Sequence, residues 1–438
     1  MLSVQENELL TQTGPGTVMG NLMRQYWIPA LLSSELPEPD GRPLRLRLFS
    51  EELVAFRDTA GRVGVVALSC PHRGAPLSFA RNEQGGLRCV YHGWKFDVAG
   101  ACVEMPSEPE ESSYRDKVRL LSYPCRERAG ILWTYMGPRT EPPPLPNLEW
   151  NTLPDSHVML TKRMQFCNWA QAIEGEIDQS HLSYLHSRID QGTVMNRQVD
   201  RWRAADKHPR FFVHDADWGV MIGARRVAEP DTHYWRFTQY LLPSTTMVGP
   251  YGPDPFRQSR AFVPMDDKTA MVVAVIYHPT RPLSDAEIEE HRKGSGAGFV
   301  GEGNFLPTIP EPGGAWRPKS SSANEYGYDF ELQRTRYYSG IGEFWAQDAA
   351  MIEGMGAIYD RSREHLGTSD SAVIRVRRRL LDLARRLDDD ASFVPPGVLN
   401  PDVFQVRGAA AEIPREADWL ESAKRITAVV PGLNPDAP

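Results

Sequence analysis

The sequence predicts an α+β protein in which a small all-β domain precedes a larger domain that combines an antiparallel sheet with helices. Short β-like runs separated by turn pairs fill residues 44–132. More strand-like runs fill residues 156–280, and a strongly helical stretch rich in Arg and Glu follows at 340–387. Strands that precede helices, rather than alternate with them, are typical of the α+β class.

The amino-acid composition argues against several classes of protein. The chain has 438 residues with 41% hydrophobic content, enough for two domains with separate cores. Its net charge is −8 and no basic stripe is visible, which argues against a nucleic-acid partner. No apolar run is long enough to span a membrane, and the first residues do not resemble a signal peptide. Five cysteines are too few for a disulfide scaffold, so we expect a cytoplasmic enzyme with reduced thiols.

Three segments are expected along the chain. Residues 1–40 form a helical lead-in that packs on the second domain. Residues 41–140 form the β domain, whose runs such as LRLRLF, ELVAFRD and ILWTYMG are split by turn pairs. The Pro-rich stretch at 138–146 predicts a stiff linker, with an ordinary surface loop as the alternative. Residues 150–438 form the second domain.

The first motif with clear chemistry pairs Cys and His on two short loops. CPHRG begins at Cys70 and CVYHGW at Cys89, so that His72 and His92 complete a C-x-H-x16-C-x2-H pattern. In a Rieske [2Fe–2S] cluster two Cys bind one iron and two His bind the other. One Cys and one His on each loop match that division. A zinc site is the alternative, but zinc modules usually pair Cys with Cys and His with His. Cys102, Cys125 and Cys167 are left as inert thiols.

A second motif, D-x2-H-x4-H, lies in the helical stretch from Trp169 to His186. Two imidazoles and one carboxylate form the facial triad of non-haem Fe(II) oxygenases. Asp178 and His181 stand three apart and would share a helix face, whereas His186 would be turned away by about 140° in a regular helix. Both His can reach one metal only if the helix ends or bulges between them. Spacing does not identify the third ligand, because carboxylates are frequent near the C-terminal helices: Glu343, Asp348, Glu353 and Asp360.

Together these motifs resemble the α-subunits of Rieske non-haem iron aromatic ring-hydroxylating oxygenases. The segments CPHRG, CVYHGWKFD, NW…EG…D-x2-H-x4-H and AQDAAMIEGMG…DRSREHLGTSD are similar to the phthalate 4,5-dioxygenase-like branch. The resemblance covers almost the whole chain. It implies a Rieske domain followed by a helix-grip (START-like) catalytic domain, and a role in aromatic hydrocarbon catabolism.

The resemblance also implies the ligand sets. Cys70 and Cys89 would bind one cluster iron and His72 and His92 the other. A mononuclear Fe(II) would be held by three further ligands, and Asp178 would link the two centres in catalysis without binding either. The implied Fe(II) ligands are His181, His186 and Asp348. A carboxylate hydrogen-bonded to a ligand imidazole orients it, although a plain helix-cap role for Asp178 is the alternative.

Partners follow from the same resemblance. A homotrimer, or a dimer of trimers, would place Asp178 between His181 and His92 of the neighbouring subunit. Electrons would come from NAD(P)H through a separate flavin and [2Fe–2S] reductase, and O2 would be the co-substrate. The substrate would be a small aromatic compound, in this branch mostly an aromatic acid or aryl ether.

The sequence identifies the residues of the substrate pocket less clearly than the metal ligands. Arg236 and Lys207 lie on or near strands of the second domain and are candidates to hold a substrate carboxylate. Structural ion pairs are the alternative for both. Phe344 and Trp345 precede Asp348 and are either pocket aromatics or core residues.

Other functional classes fit the sequence less well. A Rieske electron carrier needs only about 100 residues, which leaves residues 150–438 unexplained. A zinc hydrolase would carry a signature such as HExxH, which is not present. Within the oxygenase class, cis-dihydroxylation is expected, with O-demethylation or ether cleavage by the same ligand set as the alternative.

Overall fold

The computed structural model describes residues 1–109, 111–190, 198–250, 255–294 and 298–429. Its N-terminal part contains α1 (Val4–Thr11), α2 (Val18–Met23) and β1 (Trp27–Leu32). Ser3 caps α1 by accepting from the backbone N–H of Glu6, whose side chain accepts from Ser3 in return. No described helix combines the length and apolar character that a membrane crossing requires.

Residues 1–40 were expected to form a helical lead-in, but they also contain a strand. Trp27–Leu32 is a strand, and all six of its residues are buried. It pairs antiparallel with Ile131–Tyr135 and shifts register between Pro29 and Leu31. Proline has no N–H to donate to a ladder, so a bulge at this point is expected. A continuous apolar run is buried on both faces whether it is strand or helix, which is why the sequence left the two indistinguishable.

A β-rich region follows the lead-in. Its strands form one sheet with the order β2-β3-β4-β9, a second with the order β5-β6-β7-β8, and a third in which β1, β11 and β10 are neighbours. The strands are β2 (Leu44–Leu48), β3 (Glu51–Arg57), β4 (Val63–Ala67), β5 (Arg81–Glu83), β6 (Gly86–Arg88), β7 (Lys95–Phe96), β8 (Cys102–Glu104), β9 (Ser122–Tyr123), β10 (Cys125–Arg128) and β11 (Ile131–Tyr135). The two Cys–His loops lie on either side of β5 and β6.

The rest of the chain is built on one antiparallel sheet with the order β12-β18-β17-β16-β15-β14-β13, and β19 also pairs with β15. Its strands are β12 (Val158–Gln165), β13 (Arg210–Ala216), β14 (Gly219–Val227), β15 (Thr232–Leu241), β16 (Thr245–Val248), β17 (Arg257–Pro264), β18 (Ala270–Tyr277) and β19 (Ala409–Pro414). Every residue of β18 is buried, as expected of a central strand covered on both faces.

Helices cover this sheet. They are α3 (Trp169–Ile177), α4 (Gln198–Ala205), α5 (Asp285–Arg292), α6 (Phe330–Thr335), α7 (Phe344–Gly354), α8 (Ser371–Asp389) and α9 (Trp419–Thr427). The long helix α8 buries an apolar stripe that includes Val376, Leu380 and Leu387, and it packs against β13 and β14. The predicted α+β class, with a small β domain and a helix-grip sheet, is confirmed.

Candidate metal centres and substrate cavity

The two Cys–His loops fold into the same tight turn. The N–H of Gly74 donates to the carbonyl of Cys70 at 2.8 Å, and the N–H of Gly93 donates to the carbonyl of Cys89 at 2.9 Å. Gly74 and Gly93 adopt φ angles of 75° and 79°. Because side chains disfavour this left-handed region, glycine is needed at both turns. The sequence motif therefore produces two matching loops.

These loops bring the four predicted donors to one place. The Cys70 and Cys89 side chains are buried, with 2% and 4% exposure. The rings of His72 and His92 lie 4.5 Å apart between centroids, and His72 stacks on Trp94. Burial beside Cys89 raises the pKa of the Cys70 thiol to about 11. Two buried cysteines and two imidazoles, one of each on either loop, fit a [2Fe–2S] cluster with mixed ligands.

The second constellation depends on where helix α3 ends. The helix stops at Ile177, with Asp178 as its C-cap, and His181 begins a separate 3₁₀ turn. One oxygen of Asp178 accepts from the N–H of Ser180 at 2.7 Å, so the chain bends there. The Nε2 atoms of His181 and His186 consequently lie 3.2 Å apart. The helix was expected to end or bulge between His181 and His186, but it ends before both, and the 3₁₀ turn His181–Ser183 lies between them instead. Asp178 and His181 therefore do not share a regular helix face.

Asp348, on α7, completes this group. Its Oδ1 lies 3.1 Å from Nε2 of His186 and 3.5 Å from Nε2 of His181. The three donor atoms all lie within 4.8 Å of one another. The other candidate carboxylates are engaged elsewhere: Glu343 accepts from Asn304 and Ser320, Glu353 from Gln165, Phe166 and Tyr326, and Asp360 from Ser362.

Each imidazole has a different partner on its other nitrogen. Nδ1 of His181 lies 3.1 Å from Oδ2 of Asp178, and Nδ1 of His186 lies 2.7 Å from Oε1 of Gln347. The amide nitrogen of Gln347 donates to the carbonyl of Ile341 at 2.7 Å, which fixes which end of the amide faces the ring. With Nδ1–H donated in both rings, both Nε2 lone pairs face Asp348. Two imidazoles and one carboxylate fit a 2-His-1-carboxylate Fe(II) site.

The surroundings of Asp348 and Asp178 favour the ionised form of both carboxyl groups. Burial by itself would raise the pKa of Asp348, but its interactions with His186 and His181 and the charge of Arg260 lower it below its ordinary value. Burial likewise opposes ionisation of Asp178, yet its hydrogen bond with His181 lowers the pKa of that carboxyl. Both carboxylates are therefore ionised near neutral pH, and Asp348 can bind a cation.

A cavity of about 480 Å³ opens beside the triad. The described residues that line it include the ring of Phe344, which stacks on His186 at 3.9 Å, and two buried arginines. Arg236 donates to Oε1 of Gln179 at 2.9 Å. Arg260 pairs with Glu176 and with Gln258. The volume suits a small aromatic molecule.

The predicted pocket residues fall in three places. Arg236 lines this cavity. Lys207 is exposed and lies in a separate cleft beside Asp178 and His181, with its ammonium 5.6 Å from the Tyr184 ring centre. Trp345 corrects the expectation of a pocket aromatic, because it is buried in an apolar cluster with Val300, Tyr326 and Ile341. Consecutive helix residues point about 100° apart, so Phe344 faces the cavity and Trp345 does not.

Sequence reasoning missed three residues of the site. Gln347 precedes the predicted ligand Asp348, but nothing in the sequence shows that it contacts His186. Arg260 stands on β17, far from the ligands in sequence, and only the folded sheet brings it to the cavity. His291 on α5 also lines the cavity.

Comparison with known proteins gives two family matches. Residues 26–124 match the model of the Rieske [2Fe-2S] domain, and residues 134–437 match the model described as LigXa C-terminal domain like. The second match alone covers more than half of the chain.

Curated relatives match over nearly the full length. The chain is 38% identical to the 3-chlorobenzoate-3,4-dioxygenase oxygenase subunit of Comamonas testosteroni, covering 96% of this chain and 97% of that protein. It is 38% identical to the phthalate 4,5-dioxygenase oxygenase subunit of Pseudomonas putida, covering 97% and 95%. It is 31% identical to the 5,5'-dehydrodivanillate O-demethylase oxygenase subunit of Sphingobium sp. (strain NBRC 103272 / SYK-6), covering 87% and 80%.

Solved structures share the fold at low identity. Dicamba monooxygenase bound to dicamba superposes with a TM-score of 0.58 at 17% identity, covering 84% of this chain and 99% of that one. An oxygenase and ferredoxin complex of carbazole 1,9a-dioxygenase gives a TM-score of 0.56 at 19% identity, covering 92% and 97%. These likenesses concern the fold alone.

Proposed function

The chain belongs to the Rieske non-haem iron aromatic ring-hydroxylating oxygenase α-subunits, in the phthalate 4,5-dioxygenase-like branch, and on that premise we propose that it cis-dihydroxylates an aromatic carboxylate. The resemblance drawn from the motifs is confirmed by the family models and the full-length relatives. The chain is the terminal oxygenase of a system that uses a Rieske cluster, a mononuclear iron and O2. A phthalate-like or substituted benzoate compound is the proposed substrate.

The ligand assignment is part of the proposal. Cys70 and Cys89 bind one cluster iron, and His72 and His92 bind the other. The Fe(II) ligands are His181, His186 and Asp348. When bound, the iron supplies the centre at which O2 is activated, and the cluster supplies electrons. The observation that carries the function is the convergence of Nε2, Nε2 and a carboxylate oxygen at the wall of the 480 Å³ cavity.

The protein's own side chains position the substrate. Arg236 lies in the cavity with its guanidinium held by the carbonyl of Gly249 and by Gln179. A guanidinium held in this way is pre-organised to bind a carboxylate. Phe344 supplies an aromatic wall beside His186. Trp345 packs in the apolar cluster that supports helix α7. Lys207 lies in the separate cleft beside Asp178.

The assembly is proposed to be a trimer, or a dimer of trimers, with electron transfer between subunits. Among the described residues of one chain, no hydrogen bond or ion pair joins Asp178 to either Cys–His loop. The Asp178 side chain is 27% exposed and lines a cleft at the surface. Next to His92, Val90 and Tyr91 are 60% and 58% exposed. These exposures support the proposal that Asp178 bridges His181 and His92 of the partner subunit.

Electron supply requires a separate protein. The carbazole 1,9a-dioxygenase oxygenase is seen in complex with a ferredoxin. For this chain we propose a flavin and [2Fe–2S] reductase that draws electrons from NAD(P)H, as the branch implies.

A second candidate reaction is removal of a methyl group from an aryl ether. It is favoured by the 31% identity to a 5,5'-dehydrodivanillate O-demethylase subunit. The same ligand set serves both reactions, since the outcome depends on which substrate atom faces the iron.

Product analysis decides between the two reactions. Holoenzyme, a reductase and NADH are incubated with benzoate, phthalate and chlorobenzoates, and with their methoxy analogues. We expect a cis-dihydrodiol from an aromatic acid. Formaldehyde from methoxyarenes, with no dihydrodiol from any acid, would favour the O-demethylase.

A further inference from the structure

His291 is a buried histidine that lines the cavity, and one of its ring nitrogens has no partner among the described residues. It stands in the last turn of α5 and is 1% exposed. Its Nδ1 lies 2.7 Å from the carbonyl of Glu287, one helical turn earlier. Its Nε2 is buried and has no hydrogen-bond partner among the described residues. The ligands His181, His186 and Asp348 line the same cavity.

The tautomer of His291 follows from this hydrogen bond. A carbonyl oxygen can only accept, so Nδ1 carries the hydrogen. The rings of Phe256 and Phe299 pack on it at 4.7 and 5.1 Å between centroids. In the neutral ring Nε2 then carries a lone pair, which can accept a hydrogen bond but not donate one.

The charged groups around this end of the cavity do not use that lone pair. Glu287 is held by two hydrogen bonds from Arg281 at 2.9 Å and by Ser284. Glu290 also lines the cavity, and its carboxylate oxygens are hydrogen-bond acceptors. The two cavity arginines have partners of their own in Gln179 and Glu176. Among the described groups, Nε2 of His291 thus stays an acceptor without a donor.

An unsatisfied buried acceptor costs stability, so its presence calls for an explanation. In a ligand cavity the simplest one is that a bound molecule supplies the missing donor. We propose that His291 is a specificity-determining residue, which accepts a hydrogen bond from an O–H or N–H substituent on the ring of the substrate. The inference rests on the proposed function and refines it. The substrate is a hydroxylated or aminated aromatic acid rather than an acid whose other substituents are only apolar.

Isosteric ligand pairs test this directly. Binding of 3-hydroxybenzoate and 3-methylbenzoate, and of the matching 4-substituted pair, is measured by calorimetry on the anaerobic holoenzyme without reductase. Hydroxyl and methyl are similar in size, so the ratio of the two dissociation constants reports the hydrogen bond. The wild type should prefer the better-placed hydroxyl compound by roughly threefold to tenfold. His291→Leu should abolish that preference, and His291→Gln, which keeps an acceptor, should restore part of it.

Controls separate a binding role from a packing role. His278→Leu removes another buried histidine, which does not line the cavity among its described residues, and should leave the preference unchanged. A second variant, His291→Phe, gives the same measurement if the leucine variant does not fold. An unchanged preference in His291 variants would overturn the inference and leave the proposed function intact.

Two other outcomes would also overturn it. Loss of affinity for isophthalate, but not for 3-hydroxybenzoate, would mean that His291 is cationic and binds a carboxylate. If none of these ring acids bound the holoenzyme, the proposed substrate class itself would be wrong, and the inference would fail with it.

Discussion

At the scale of single residues, the two candidate iron-binding imidazoles are held by unlike partners. Asp178 is ionised and part-exposed, whereas Gln347 is neutral and 3% exposed. A charged partner raises the basicity of its imidazole more than an amide does. The contact that orients His181 therefore lies near the surface, whereas the contact that orients His186 is buried.

Replacing Gln347 tests the role of the neutral partner. Gln347→Leu removes the acceptor for Nδ1–H of His186, so the ring loses its fixed tautomer. We expect the affinity of the mononuclear site for iron to fall about 10–100-fold, with the cluster spectrum unchanged. Iron retained after dialysis against graded chelator measures this affinity. Gln171→Leu is the matched control, since Gln171 is also a buried helical glutamine but its described hydrogen bonds join it to backbone groups of Ile352, Gly356 and Tyr359. Equal iron loss in both variants would contradict the account.

The sequence predicted some of these residues and not others. The C-x-H and C-x2-H loops are local patterns, so Cys70, His72, Cys89 and His92 are legible from spacing alone. Asp348 lies 162 residues beyond His186, and the spacing of acidic residues did not distinguish it from Glu353. Asp348 was selected by resemblance to the family, and in the structure its carboxylate lies beside both imidazoles. Long-range contacts such as Gln347 to His186 depend on tertiary packing, which no local pattern records.

At the scale of elements, a buried ion network fixes the helix that leads into the triad. Glu174 on α3 accepts from Arg377 at 2.7 and 2.9 Å and from Arg361 at 3.1 and 3.0 Å. Arg361 also donates to Asn7 on α1, and Arg377 donates to Glu364. Glu174 stands four residues before Asp178, so this network anchors the second half of α3 to α8 and, through Arg361, to α1.

Glu174→Gln should weaken this element and change its pH dependence. Removing one partner of a buried ion network typically costs about 3–5 kcal/mol. Burial raises the pKa of Glu174, but Arg361 and Arg377 outweigh it and hold the pKa below its ordinary value of 4.5. Protonation of Glu174 therefore favours the unfolded chain, and its contribution is lost as the pH falls below about 4.5.

Melting followed by circular dichroism between pH 7 and pH 4 measures both effects. We expect a lower Tm for Glu174→Gln at pH 7 and a smaller difference from the wild type at pH 4. The control is Glu331→Gln, an exposed carboxylate paired with Arg334. A Tm difference that is constant with pH would argue against the network.

Strands were easier to predict than the ends of helices. The runs MLTKRMQF, RFFVHDA, GVMIGARRV and TAMVVAVIYH all fall on strands of the large sheet. The stretch from Trp169 to His186 was expected to be helical, yet the helix ends at Ile177. The hydrogen bonds of the Asp178 side chain to the next backbone N–H groups replace helical bonds there. Hydrophobic periodicity does not show that a side chain will compete with the helix for backbone N–H groups.

At the scale of the whole molecule, the proposal requires an assembly of several chains. A head-to-tail contact that closes on itself gives a ring, and a trimer is the proposed ring. The surfaces that would meet are the exposed tip around His92 and the cleft beside Asp178.

Asp178→Asn keeps the size of the bridge and removes its charge. We expect normal cluster colour and near-normal iron content, with a loss of electron transfer greater than the 10–100-fold typical of a ligand's hydrogen-bond partner. Stopped-flow reoxidation of the reduced cluster in the presence of substrate and O2 measures the transfer. Reoxidation at the wild-type rate would remove Asp178 from the path.

Mixed trimers test whether electrons pass between chains. His92→Ala chains carry only a cluster defect, and His181→Ala chains carry only an iron defect. Each homotrimer should be inactive, whereas verified mixed trimers should recover part of the activity. Mixed trimers with no activity would mean that transfer occurs within one chain.

The central claim is that one chain holds two separate iron centres on the residues named above, and metal analysis of anaerobically purified protein tests it most directly. Iron, zinc and acid-labile sulfide are measured in the wild type and in His92→Ala, Asp348→Ala and Glu353→Ala. The account predicts three irons and two sulfides per chain in the wild type. It predicts loss of the cluster alone in His92→Ala, loss of one iron in Asp348→Ala, and full iron in Glu353→Ala. Stoichiometric zinc without sulfide in the wild type, or iron loss in Glu353→Ala but not in Asp348→Ala, would contradict it.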